Sequence, residues 1–241
     1  MAGVHALMLL RGKKIRFHQE ALKIALIFGA IAAFAMPITG DFAAKDMAKR
    51  QPAKLAAMEA HYHTSKRATL IIGGIPNDET KELKYAIEIP GGLSFLAHGD
   101  FNAEVIGLDQ IPEDECPPTI VVHFAFQTMV ALGSLMMIIG FLYFFMRWRK
   151  WDYINMKWWL RLIALATPIG FIALEAGWTV TEVGRQPWII YGVMKTQDAL
   201  TPMPGIQYSL LVVVMVYSIL TLAVIWLMHR QLKFIHEKYN T

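Results

Sequence analysis

Four residues near the end of one apolar stretch carry the sharpest chemical signal. Glu175, Trp178, Glu182 and Arg185 follow the spacing i, i+3, i+7, i+10, one stripe of a single helix. A carboxylate placed in hydrocarbon costs roughly 2.5–3.5 kcal/mol on insertion scales, so such residues face a cavity, a partner or a bound ion. Spacing alone leaves two readings: acid groups at a reactive centre, or a clamp in which Glu182 pairs with Arg185 at the headgroup level. A second signal is Met129, deep in another apolar stretch with Gln127, Gly133, Met136 and Met137 around it. A thioether can ligate haem iron and raise its potential; in a chain with fourteen methionines, plain packing is the other reading. His123 lies on a different face from Met129, which makes it a hydrogen-bonded interfacial histidine instead of a second ligand to the same metal. A third signal is Lys54 with Glu59, flanking an amphipathic turn. An ammonium and a carboxylate there can hold a quinone head group and exchange protons with it, or can form a solvated pair. His61 and His63 stand at i, i+2, poor geometry for one metal on a helix. The remaining histidines form no ligand-spaced pair within membrane.

The elements that must position these residues are membrane helices. The chain has 241 residues, 55% of them apolar and only 17% charged, against about 25% charge in an ordinary soluble domain. Mean hydropathy is +0.39. Apolar runs are expected to cross a bilayer as helices at 22–39, 119–146, 159–183 and 208–228, since about twenty residues span a hydrocarbon core of roughly 30 Å. Helix is required because backbone polar groups in lipid must be satisfied within the segment. Residues 1–10 are apolar but too short to cross, and their positive charges follow them, unlike a signal peptide. They read as the end of a truncated transmembrane helix, so the chain is expected to be a fragment or a split half. Cys116 is the only cysteine, which excludes an internal disulfide and a thiolate metal cluster. The long apolar runs exclude a secreted disulfide scaffold, a nucleic-acid-binding module and a soluble enzyme.

Orientation follows from Lys and Arg near helix ends. Arg11, Lys13, Lys14 and Arg16, then Arg147, Arg149, Lys150, Lys157 and Arg161, then Arg230, Lys233 and Lys238 mark one side as cytoplasmic. The loop 41–118 then faces outward, and the tail 229–241 is cytoplasmic. The loop carries eight Lys/Arg against thirteen Asp/Glu, an acidic surface suited to the outer side. Lys54–Tyr62 has helical composition, while Ala68–Ile75 and Tyr85–Ile89 are β-favouring runs bounded by Gly, Pro and Asn. A folded segment of this length exceeds what a connector requires.

Three stretches together resemble subunit I of the cytochrome bd-type quinol oxidases, in its C-terminal portion. They are Lys54-Leu-Ala-Ala-Met-Glu59-Ala, Phe124-Ala-Phe-Gln-Thr-Met129-Val-Ala-Leu-Gly133 and Glu175-Ala-Gly-Trp178-Thr-Val-Thr-Glu182-Val-Gly-Arg185-Gln-Pro-Trp188. The last is long and specific, and the order and spacing of all three agree with the family. The resemblance implies an all-α integral membrane fold: four transmembrane helices after a partial N-terminal one, with a folded extracytoplasmic, quinol-binding loop of the short type. It implies that Met129 is an axial ligand of a low-spin haem b, and that Glu182 ligates or adjoins a high-spin haem b. A haem d, or a third haem b, would complete the set. Trp178 would lie between the haems, Arg185 would hold a propionate, and Lys54 and Glu59 would bind quinol, with Glu59 assisting proton removal. Gln127 stands where some relatives carry Arg, and the family's histidine ligands fall in helices outside this chain.

The implied function is oxidation of ubiquinol or menaquinol at the outer face with reduction of O2 to water, electrogenic because proton release and uptake lie on opposite sides. The implied partners are a second membrane subunit (subunit II), the remaining N-terminal helices of subunit I and the bilayer of the bacterial plasma (inner) membrane, with no nucleic acid. The competing readings are a haem-free scaffold or transporter subunit, with Glu175 and Glu182 lining an ion path, and a catalytically inactive paralogue.

Overall fold

The structure, a computed structural model, describes residues 1–12 and 16–239, without the side chains of 232 and 234–239. Lys13 and Lys14 of the first basic cluster lie outside the described residues, as does the side chain of Lys238 in the third. Helix α1 (Ala2–Leu10) is short, and α2 (Arg16–Arg50) runs for 35 residues. At 1.5 Å per residue α2 is about 52 Å long, well beyond a hydrocarbon core. Its apolar part covers the expected span, Pro37 sits inside it, and the helix continues past Thr39. The residues expected to open the loop at Asp41 are therefore still helical. The i, i+4 ion pairs Lys45–Asp41 (2.6 Å) and Arg50–Asp46 (2.7 Å) support this polar extension.

Helix α3 (Pro52–Met58) follows after Gln51, with proline at its first position, where the missing N–H costs nothing. The segment between α3 and the next long helix then folds as β1 (Ser65–Lys66), β2 (Leu70–Asn77), β3 (Glu82–Ile89), α4 (Gly92–His98) and β4 (Glu104–Val105). Strands β2 and β3 form an antiparallel ribbon from Leu70↔Ile89 to Asn77↔Glu82, and β1 pairs with β4. A small core of Leu55, Ala68, Leu93, Ala97 and Val105 lies beneath them. Ser94 ties this core together, accepting the Ala68 N–H at 2.8 Å and donating to the Ala103 carbonyl at 2.7 Å.

Helices α5 (Thr119–Trp148) and α6 (Lys157–Val183) pack side by side. With α1 and α2 they enclose a second core around Tyr143, Trp159, Leu22 and Met146, all essentially buried. Small residues allow the close approaches: Gly140 meets Ala30 of α2, and Gly3 meets Thr167 of α6. After α6 come the short strands β5 (Trp188–Ile190) and β6 (Met194–Lys195). Lys195 Nζ bonds Asp114 Oδ2 at 2.9 Å and Glu115 Oε1 at 3.2 Å, strapping this connection to the residues just before α5.

Residues from Leu200 onward form a separate unit built on α7 (Ile206–Tyr239). Helices α2, α5, α6 and α7 are each long and apolar enough to cross a membrane. The expected architecture of four apolar helices after a short first one is the one observed, with its β-structure confined to the connecting segments.

Candidate functional site

Helix α3 ends where Ala60 turns into the left-handed region (φ 47°) and the His61 N–H bonds the Ala56 carbonyl at 2.8 Å. This turn carries Glu59 inward. Its side chain is fully buried, Oε2 accepts the Ile71 N–H at 3.3 Å, and Oε1 has no partner among the described residues. Burial pushes the carboxyl up to about 7, opposed by the Ile71 hydrogen bond. Glu59 lines a cleft of about 170 Å³ together with His61, His63, Thr69, Lys81 and Leu83. Burial holds His61 below its ordinary range, while its Nε2 contact with the Val105 carbonyl (3.3 Å) acts the other way. A carboxyl poised near pH 7 gives up its proton and, as the carboxylate, takes one back at physiological pH.

Behind Glu59, β2 lies along α5. His123, fully buried, sets Nδ1 at 2.9 Å from the Met58 carbonyl and Nε2 at 3.2 Å from the Gly73 carbonyl. It is a hydrogen-bonded histidine at the end of a membrane helix, as expected from sequence. Gln127 donates from Nε2 to the Ile71 carbonyl (3.0 Å) and accepts the Gly73 N–H on Oε1 (3.1 Å). Gln127, which stands where some relatives carry Arg, has both ends of its amide committed to β2.

The α6 stripe presents a different environment. Glu175, Trp178 and Glu182 are all exposed, Trp178 to 62%. Arg185 Nη2 donates to Glu182 Oε2 at 2.6 Å. Glu175 makes no ion pair among the described residues. Lys54 is turned to this end of α6: its Nζ donates to the Thr181 carbonyl at 3.4 Å, and burial, then the Arg185 charge, lowers its proton affinity. Lys54 and Arg185 share a narrow gap with Gln51, Glu115, Gln186 and Trp188. The structure therefore parts Lys54 from Glu59. Five residues along a helix is about 140° of rotation, so the two expected quinol-binding residues line separate recesses.

Met129 meets α6 at Gly177, where an added Cβ would stand 2.9 Å from Sδ. Glycine there admits the thioether next to the Trp178–Glu182 stretch. A soft sulfur donor, a carboxylate on an exposed apolar face and two neighbouring cations suit the iron and the propionates of a haem, so these residues fit such a group. One contact escaped the sequence reading: His5 and His18 bring their Nδ1 atoms within 3.0 Å. Their separation of thirteen residues, on two different helices, gives no spacing signal.

Comparison with known proteins bears on this geometry. Residues 1–235 match the family described as cytochrome bd terminal oxidase subunit I. From Bacillus subtilis (strain 168), a protein named "Putative cytochrome bd menaquinol oxidase subunit I" is 36% identical over 95% of this chain and 52% of its own length. A cytochrome bd ubiquinol oxidase subunit 1 of the same organism is 28% identical, over 97% of this chain and 52% of that protein. The solved bd oxidase of Geobacillus thermodenitrificans superposes with TM-score 0.79 at 38% identity, covering 92% of this chain and 51% of that one. The chain thus spans about half the length of the relatives it matches. On the family match and the shared fold, this multi-pass membrane chain belongs to the cytochrome bd terminal oxidase subunit I family.

Proposed function

We propose that this chain forms the quinol-oxidising and haem-holding part of a bd-type terminal oxidase, which oxidises ubiquinol or menaquinol and reduces O2 to water. The observation that carries this reading is Glu59, buried at the end of α3 with Oε1 free beside an open cleft. Glu59 takes a proton from the quinol hydroxyl and passes it to the outer side, past His61 and His63. Bound haem (low-spin b, high-spin b, and d or a third b) supplies the one-electron chemistry and the oxygen chemistry. Met129 holds the low-spin haem b iron, and Glu182 holds the high-spin one. Arg185 and Lys54 would offer positive charge to propionates or to a quinol oxygen, and Trp178 would line the haem site. The loop 41–118 faces outward and the C-terminus lies in the cytoplasm, so protons released and consumed on opposite sides make turnover electrogenic. A subunit II and further subunit I helices complete the assembly.

The test is quinol-dependent oxygen uptake by the assembled oxidase carrying Glu59→Gln. Uptake should fall on the order of 100-fold, the range of a general base, with haem content unchanged; normal uptake removes Glu59 from the reaction. The Glu182–Arg185 ion pair at 2.6 Å favours the second reading, a structural clamp. An unaltered high-spin haem spectrum after Glu182→Gln decides for the clamp.

A further inference from the structure

A two-stranded ribbon leaves peptide groups unpaired along both outer edges. In β2, Ile71 and Gly73 are two residues apart, so their N–H and C=O groups turn to the same edge. That edge lies against α5, where a third strand would otherwise pair with it. Side chains take the strand's place. The Ile71 N–H reaches Glu59 Oε2, the Ile71 carbonyl and the Gly73 N–H are read by Gln127, and the Gly73 carbonyl is met by His123 Nε2. His123 and Gln127 stand at i, i+4 on one face of α5. The other nitrogen of His123 meets the Met58 carbonyl, one residue before Glu59. Glu59 is therefore flanked twice: by the Met58 carbonyl, one of the two carbonyls between which the single N–H of a neutral His123 chooses, and by the Ile71 N–H, its one hydrogen-bond donor among the described residues, whose neighbours are held by Gln127.

We propose that Gln127 and His123 are positioning residues for Glu59: by completing the outer edge of β2 they fix the Ile71 N–H on Oε2 and leave Oε1 free toward the cleft. This rests on the reading that Glu59 accepts a quinol proton. The consequence has a sign. Gln127→Leu removes both bonds to β2, so the Ile71 N–H is no longer held against the carboxylate. The charged form loses its only donor and binds its proton more tightly. Titratable and charged groups near Glu59 are His61, Tyr62 and His63 on its own turn, Lys81 in the β2–β3 turn and His123 on α5. All are retained in the variant.

The experiment follows quinol-dependent oxygen uptake of the assembled oxidase across pH, with amide hydrogen exchange of residues 70–77 in the same preparation. Gln127→Leu should move the acid limb upward by on the order of one pH unit and quicken exchange over β2. In the Glu59→Gln background it should leave the residual uptake unchanged, because it acts through a carboxylate already gone. An unmoved acid limb, or the same proportional loss with Glu59 replaced, overturns the positioning role. If Gln127→Leu does not assemble, His123→Leu, which withdraws the ring from both carbonyls, is judged by the same criteria with a smaller shift expected. Full activity of Glu59→Gln would instead overturn the proton-accepting reading itself, whatever Gln127→Leu does.

Discussion

Two carboxylates divide this molecule. Glu59 at the end of α3 is fully buried, with one donor, one free oxygen and a cleft beside it, all built from residues 58–127. Glu182 on α6 is exposed and ion-paired, and it shares its stripe with Glu175 and Trp178 beside exposed Phe171 (69%) and Leu174 (66%). Covering apolar side chains of this size stabilises by roughly 1.5–3 kcal/mol each, so that face is made to be covered. The contrast teaches that the segment after α2 holds a buried carboxyl and its cleft within itself, whereas the α6 stripe leaves its charged and apolar groups uncovered by the described residues.

Perturbing the helix side of the comparison should give the largest effect. Met129→Leu keeps volume but removes the sulfur, so the low-spin haem signature of the assembled oxidase should be lost; an unchanged spectrum would reduce Met129 to packing against Gly177. Glu182→Ala should next diminish the high-spin haem contribution while leaving the low-spin bands, as read by reduced-minus-oxidised spectra. If both bands persist at full intensity, the stripe is structural.

At Glu59 the effect is one of pH. A Glu59 carboxyl raised to about 7 stabilises the folded loop while protonated. The folded state then binds a proton more tightly than the unfolded one. That contribution is fully present below about 4.5 and lost as pH rises through about 7, a change of up to roughly 3 kcal/mol. Limited proteolysis of the loop should thus be slower at pH 5 than at pH 8, and Glu59→Gln should flatten the difference. A loop equally resistant at both values would contradict the buried carboxyl. The smallest effect is expected where the two regions are strapped together. Lys195→Met removes the pairs to Asp114 and Glu115, but exposed pairs contribute little. The half-life of the oxidase at elevated temperature should change by less than about twofold.

Much of the helical frame was legible because lipid imposes a long apolar run and leaves few alternatives. The bounds of α5 and α6 fall within two residues of the expected spans. The end of α2 was not legible, since Asp41, Lys45, Asp46 and Arg50 read as loop charges until their i, i+4 pairing is seen. The β2–β3 ribbon lies on the two β-favouring runs. Its seat on α5 was hidden, because Gln127 meets Ile71 across 56 residues of chain and nothing local marks the contact. The separation of Lys54 from Glu59 was available to arithmetic, as five helical residues cannot share a face.

The most direct measurement is stopped-flow reduction of the haems by quinol in the assembled oxidase carrying Glu59→Gln, beside full chemical reduction by dithionite. The account predicts a normal dithionite spectrum with slow reduction by quinol; haems reduced by quinol as fast as in the unaltered oxidase would contradict it.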